Sequence, residues 1–322
     1  MARIRVGVLR GGPSSEYDIS LKTGASILEH LDQEKYQPID VLIDKKGGWH
    51  IGGFPFSEQK ALRHIDVAVS AMHGQYGEDG TVQKLLDTFH VPYTGSGALA
   101  SAIAFNKALA KNALRRSGVK MAPHIVVEAA PDIERRLHTV FRTLPHPAVG
   151  KPTTAGSSVG VSVVSTFPEL LEGAEKAFAY SPKIIIEEYI KGREATCGVV
   201  EQFRGEELYA LLPIEIIPPP KTSFFDYASK YSGETQEICP GNFSRKEKEE
   251  LQRFSKIAHR TLNLRHYSRS DFIVSPRGIY FLEVNTLPGM TNESLLPKAV
   301  QAVGSSFKNF LDHLIGLAMR KK

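Results

Sequence analysis

The chain has 322 residues, 42% of them hydrophobic and 23% charged, with a formal net charge of +5. This describes a folded protein of about two or three domains and argues against a disordered or fibrous chain. The two cysteines, Cys197 and Cys239, exclude a disulfide framework and a zinc site; the scattered basic residues argue against nucleic acid, and no apolar run reaches the ~18 residues of a membrane span.

The opening MARIRVGVLRGG is too short in its apolar part for a signal peptide, so a cytoplasmic protein is expected. A first strand is predicted at Ile4 to Leu9, then Gly11-Gly12 and a helix from about Ser20 to His30. Strands at Ile39 to Ile43 and Val67 to Met72 follow, the second ending in the loop HGQYGEDG, and then a helix from Thr81 to Phe89. This alternation predicts a parallel sheet covered by helices, with ligands at the carboxyl ends of its strands. A helix from Ala98 to Ser117 comes next, then β-like text in HIVVE, VGKP and VGVSVV, a helix from Pro168 to Ala179 and a strand from Ile184 to Tyr189. The remainder is richer in strands (ATCGVV, LYALLPIEII, DFIV and GIYFLEV) before a last helix from Ser306 to Met319. The fold class expected is α/β and α+β, in three units: 1–96, 97–186 and 187–322.

Four stretches could carry chemistry. In RSDFIV…GIYFLEVNTLPGMT, Asp271 lies on one apolar strand, and Glu283 and Asn285 stand at i and i+2 on another, sharing a face. Such oxygen donors suit Mg²⁺; alternatively they are polar strand ends. Arg269 could stabilise a developing oxyanion or simply pair with Asp271. The loop Lys151 to Val161, KPTTAGSSVGV, has the glycine, hydroxyls and preceding lysine of a phosphate cradle, though it is not a Walker A motif and could be an ordinary hairpin. In IIIEEYIKGRE, a strand running into Glu187-Glu188-Tyr189-Ile190 could serve as a purine hinge, with Glu194 near the ribose; the bland reading is surface charge. The long segment SFFDYASKYSGETQEICPG, with Lys230 and Tyr231, has the look of a lid or a surface excursion. Near the amino terminus, Glu16 could cap a helix or hold an ammonium, and His73 could meet a carboxylate or be structural. Lys107, on a predicted helix, would ordinarily be solvated.

The ordered motifs GGxSxE, HGxxGEDGxxQ, PYTGSG, KPxxxGSSVGV, EEYIxGRE, DYxxKY and EVNTLPGMTxxSLxP resemble the D-alanine–D-alanine ligase family from about residue 6 to about residue 300. The resemblance implies a three-domain ATP-grasp fold with an N-terminal parallel-sheet domain. It implies ATP-dependent joining of two D-alanines through a D-alanyl phosphate, in a bacterial peptidoglycan pathway. ATP would be held by Lys107, Lys151, Ser157, Ser158, Lys230, Phe272, the hinge Glu187, Glu188, Tyr189 and Ile190, and Glu194. Asp271, Glu283 and Asn285 would bind two Mg²⁺ ions, for which Mn²⁺ could substitute. Glu16, with His73 nearby, would hold the first D-alanine's ammonium, and Ser294 and Leu295 the second substrate's carboxylate. Arg269 and the Gly289 amide would form the oxyanion site, and Glu16, Ser157 and Tyr231 a hydrogen-bonded triad. The partners implied are D-alanine, ATP and a second copy of the chain in a homodimer. Tyr231 matches the type that takes an amine, where D-lactate-using relatives replace the lid tyrosine. The loop departs from many members at Ala155, where they carry an acidic residue, and Ser270 replaces an apolar residue between Arg269 and Asp271. The competing readings are a ligase making another D-amino-acid dipeptide or depsipeptide, such as D-Ala-D-Ser or D-Ala-D-Lac, and a nucleotide-binding regulator without ligase activity.

Overall fold

The computed structural model describes residues 3–219 and 235–320, which leaves Lys230, Tyr231 and most of the expected lid outside the described residues. Three sheets organise what is described.

The first contains β1 (Ile4–Gly11), β2 (Tyr36–Ile43), β3 (Trp49–Ile51), β4 (Phe54–Phe56) and β5 (Val67–Ser70), in the order β4-β3-β2-β1-β5. β1 runs parallel to β2 and β5, while β3 and β4 add antiparallel edge strands. All four residues of β5 are buried, as expected of a parallel strand covered on both faces. Along β1, Val6 and Val8 pack with Ile27 of α1 (Tyr17–His30), and Leu9 packs with Val82 and Leu86 on the other side. The helix α2 (Glu58–Leu62) precedes β5, and α3 (Thr81–Thr88), which carries Val82 and Leu86, follows it.

The predicted helix from Ala98 to Ser117 is two helices, α4 (Ala98–Phe105) and α5 (Lys107–Leu114). Asn106 breaks it: its backbone is extended and its side chain accepts from the amides of Ala108 and Leu109, each at 3.1 Å. Asparagine favours this capping position over a helix interior because its short amide satisfies amides that start a helix.

The second sheet has β6 (His124–Glu128), β7 (Ala148–Pro152), β8 (Ser162–Val164) and β9 (Lys183–Glu188), antiparallel in the order β6-β9-β7-β8. The helices α6 (Ile133–Thr143) and α7 (Phe167–Phe178) cover one face through Leu137, Val140, Leu170 and Ala174.

The third sheet contains β10 (Arg193–Phe203), β11 (Glu206–Ala210), β12 (Ile214–Ile217), β13 (Gln236–Ile238), β14 (Tyr267–Ser275) and β15 (Gly278–Asn285). Its order is β13-β12-β10-β14-β15, with β11 paired to β10. Between β13 and β14 runs α8 (Arg245–Thr261), absent from the expectations above because its charged surface hides a sparse apolar stripe. Its signals were Leu251, Phe254 and Ala258 at helical spacing and a capping box from Ser244 to Glu247. α8, α4 and α5 bury Phe272 and Phe281 on one face of the sheet. The chain ends with α9 (Leu295–Ala302) and α10 (Phe307–Met319). α10 brings Phe310 and Leu314 back into the cluster containing Val6 and Val8, tying the end of the chain to the first sheet. Among the described residues no helix is long and apolar enough to cross a membrane.

Candidate active site

A cleft between the second and third sheets collects ten of the residues singled out above. Lys107, Lys151, Ser158, Glu187, Glu188, Tyr189, Ile190, Glu194, Asp271 and Glu283 all line it. A smaller recess beside it is lined by Glu78, Lys107, Gly156, Glu283 and Asn285.

Paired strands set the acidic side. Asp271 of β14 lies opposite Glu283 of β15, and the next matched pair is Phe272 with Phe281, leaving Leu282 as an extra residue. That bulge lets Leu282 and Glu283 both face the cleft, while Phe281 stays in the core. Asp271 is crowded with donors. Its Oδ1 accepts from Thr196 Oγ1 at 2.6 Å and Arg269 Nε at 3.0 Å; its Oδ2 accepts from Arg269 Nη2 at 2.9 Å and Asn285 Nδ2 at 3.0 Å. Arg269 thus forms the ordinary salt bridge considered above, and forms it with both oxygens. Burial works against the guanidinium's charge, but the Asp271 carboxylate outweighs it and raises the pKa.

Lysines line the opposite side. α5 points Lys107 and Lys111 the same way, four residues apart. Lys107, expected to be solvated as a helical lysine, is instead only 9% exposed. It donates to the Ala155 carbonyl at 2.7 Å and pairs with Glu283 at 3.0 Å. The contact at position 155 is made by the backbone, so the loss of an acidic side chain there leaves it intact. Lys111 was not singled out; its signal was a second lysine at i+4 on the short helix KALAKNAL. It is buried and meets Glu187 Oε2 at 2.6 Å, while Lys151 meets Glu187 Oε1. Burial alone would raise the Glu187 pKa, but the Lys111 and Lys151 ammoniums pull it down to about 2. Burial lowers that of Lys111, whereas for Lys151 the attraction of Glu187 and Glu283 overcomes burial and raises it.

The Glu187 side chain is therefore held by lysines, not displayed at a hinge. Glu188 is likewise engaged: Arg277 grips its carboxylate at 2.6 and 3.0 Å, which lowers its pKa. The amides of Glu188 and Tyr189 donate to the carbonyls of Pro123 and Pro147.

The loop after β7 carries Ser157 and Ser158 in left-handed backbone conformations, φ 50° and 58°, costly for residues with a Cβ. Ser157 Oγ donates to Glu16 Oε1 across the gap to the first sheet. Glu16 precedes α1 but its side chain makes no capping bond, so its carboxylate is turned to this loop. Two glycines make room for it. A Cβ at Gly156 would stand 2.5 Å from Glu16 Oε2, and one at Gly74 would stand 2.7 Å away.

His73 lies beneath, buried, with Nε2 2.9 Å from Thr23 Oγ1 and Nδ1 3.1 Å from the Leu287 carbonyl. Glu78, also missed, has Oε1 3.9 Å from His73 Nδ1. Burial, helped by the nearby Glu16 charge, raises the Glu78 pKa despite His73. Its signal was its place in HGQYGEDG, a loop at the carboxyl end of a parallel strand.

Beyond Asn285 the chain passes Leu287 to Gly289, where a Cβ would lie 2.8 Å from Ser294 Oγ. Ser294 Oγ accepts from the Thr291 amide at 3.0 Å, and Ser294 and Leu295 begin α9. One expectation is corrected. Phe272 is fully buried, stacked edge-on with Phe281, because strand alternation turns it away from the cleft; Ile273 and Leu282 supply the apolar wall. Ser270 is likewise buried, with its carbonyl accepting from Thr196.

The chain matches the family models described as D-ala D-ala ligase N-terminus, over residues 5–61 and 52–96, and D-ala D-ala ligase C-terminus, over residues 113–316. It is 39% identical to a D-alanine–D-alanine ligase of Syntrophobacter fumaroxidans, covering 98% of each chain. The VanG D-Ala:D-Ser ligase from Enterococcus faecalis superposes with a TM-score of 0.86 at 27% identity, covering 99% of this chain and 100% of that one. The D-alanine–D-alanine ligase from Bacillus anthracis complexed with ATP gives 0.81 at 33% identity, covering 99% and 98%.

Proposed function

The chain belongs to the D-alanine–D-alanine ligase family, with the three-domain ATP-grasp fold, and we propose that it joins two D-alanines at the expense of ATP. The observation that carries this reading is the Ser157–Glu16 hydrogen bond, which sets a carboxylate suited to an ammonium at the mouth of a lysine-lined cleft suited to phosphates.

ATP would lie in that cleft. Its adenine edge would meet the Ile190 amide and hinge carbonyls, since the Glu188 and Tyr189 amides are already used. Glu194 would reach the ribose, and Lys107, Lys151, Ser157 and Ser158 the phosphates, with Lys230 joining from the segment outside the described residues. Asp271, Glu283 and the Asn285 amide oxygen are hard oxygen donors, and two carboxylates with substrate phosphates are a usual Mg²⁺ set. Two Mg²⁺ ions there would neutralise phosphate charge during transfer.

Glu16, with Glu78 and His73 close by, would hold the first D-alanine by its ammonium. Its carboxylate oxygen attacks the γ-phosphorus and ADP leaves, giving D-alanyl phosphate. The amine of the second D-alanine attacks the acyl carbon. Arg269 and the Gly289 amide would steady the oxyanion, and collapse expels phosphate as the amine loses its proton. The amino end of α9, at Ser294 and Leu295, would receive the second carboxylate. The triad of Glu16, Ser157 and Tyr231 would hold the loop and lid shut against water. Residues 1–96, 97–186 and 187–322 would form the three units of a cytoplasmic homodimer serving peptidoglycan synthesis.

Phosphate release with ATP and Mg²⁺ tests this, comparing D-alanine, L-alanine, D-serine and D-lactate with the product weighed by mass spectrometry. Release with D-alanine alone, giving the dipeptide, is expected. A mixed product would favour the second reading, a variant ligase, which the likeness to a D-Ala:D-Ser ligase keeps in view. No release with any of them would sink both.

A further inference from the structure

We infer that Lys111 is a positioning residue for nucleotide binding: it shares the charge of Glu187, so that Lys151 retains a surplus positive charge for a phosphate. The inference rests on the nucleotide reading of the cleft. Lys111 has no exposed side-chain surface and cannot itself touch a ligand, whereas Lys151 lines the cleft. Glu187 carries one negative charge between two ammoniums, one on each oxygen. The group of three therefore carries a net charge of +1, and of its two ammoniums Lys151 is the one that lines the cleft. Without Lys111, Glu187 and Lys151 would neutralise each other in a dry site, and a phosphate would meet a closed ion pair.

The same helix explains why the arrangement is built this way. Lys107, one turn earlier on α5, reaches Glu283 on β15, while Lys111 reaches Glu187 on β9. One helix face thus serves both walls of the cleft. A packing role alone would be met by an apolar residue with no buried carboxylate beside it, at lower desolvation cost.

Binding of ADP and of adenosine to the purified protein distinguishes these roles, measured calorimetrically for wild type, Lys111→Met and Lys111→Met/Glu187→Gln. Lys111→Met is expected to weaken ADP about tenfold and adenosine by less than about twofold, because only the phosphates feel the lost charge. The double variant leaves Lys151 as a lone cation and should return ADP to within about twofold of wild type. Equal weakening of ADP and adenosine by Lys111→Met, or a double variant as weak as the single, would overturn the inference. Should Lys111→Met fail to fold, the double variant decides: a wild-type preference for ADP over adenosine supports the charge-sharing role, and a lost preference refutes it. Failure of the wild type to bind ADP would instead remove the nucleotide reading, and the inference with it.

Discussion

Two enclosed carboxylates in this molecule have opposite surroundings. Glu187, on a strand of the second sheet, is clasped by Lys111 and Lys151, and its pKa falls to about 2. Glu78, on a loop below the first sheet, has among the described residues only His73 at 3.9 Å as an ion-pair partner, and burial with the neighbouring Glu16 raises its pKa. Arg269 feels Glu78 only from further away. One region holds surplus positive charge and the other surplus negative charge, and the Ser157 loop joins them. A molecule with an anion at one end and an ammonium at the other would satisfy both, which is what a nucleotide phosphate beside an amino acid provides.

The sharpest way to break this contrast is to remove the Glu187 charge. Glu187→Gln leaves two buried ammoniums without their counter-ion and should cost about 3–5 kcal/mol of stability at neutral pH, read by denaturant or thermal melting. The sign follows from its depressed pKa. Its contribution is fully present above about 4.5 and is lost as the pH falls toward about 2, so the deficit of the variant should narrow in that window. A variant as stable as wild type at pH 7 would mean that the lysines do not depend on it.

A second test lies where the two regions meet the reacting atoms. Arg269→Met should lower kcat roughly 10²–10³-fold, the effect of losing one oxyanion donor, in a phosphate-release assay. A third targets the joint itself. Gly156→Ala drives a methyl group to within 2.5 Å of Glu16 and should cost about 10²-fold in turnover by displacing the loop, without loss of fold. Turnover close to wild type would show that the loop adapts without penalty.

The smallest effect expected is also the mirror image of the first. Glu78→Gln should raise the melting temperature at neutral pH while lowering activity. A group whose pKa is raised by folding stabilises below its unfolded value, near 4.5, and loses that contribution as the pH rises through the folded value. The advantage of the variant should therefore shrink on acidification, and a melting temperature lowered at pH 7 would contradict the view that burial disfavours the Glu78 charge.

The contrast also governs how much could be read from the chain. The strands and the parallel core were legible because period-two alternation and continuous apolar runs leave direct marks, as in Val67–Ser70 and in Asp271, Glu283 and Asn285. The two motifs nearest the joint, HGQYGEDG and KPTTAGSSVGV, were visible as glycine-rich loops. The lysine, glycine and hydroxyls of the second marked a phosphate cradle, and the family resemblance linked Ser157 to Glu16; the fit of that carboxylate between Gly74 and Gly156 was not legible, because it is a contact between residues far apart in sequence. Lys111 and Glu78 went unnoticed for the same reason: their importance lies in partners that only folding supplies. Phe272, which the family resemblance implied for ATP, faces the core because strand alternation places its neighbours Asp271 and Ile273 on the cleft side. α8 was hidden by its charge, although its capping box could have revealed it.

The central claim is that the cleft moves a phosphoryl group onto the carboxylate of an amino acid whose ammonium sits at Glu16. The most direct measurement uses D-alanine labelled with oxygen-18 in its carboxylate, with ATP and Mg²⁺, and weighs the phosphate released. One labelled oxygen in the phosphate for each dipeptide formed is the expected result, since the acyl phosphate breaks between carbon and that oxygen. Unlabelled phosphate released with dipeptide formation would contradict it.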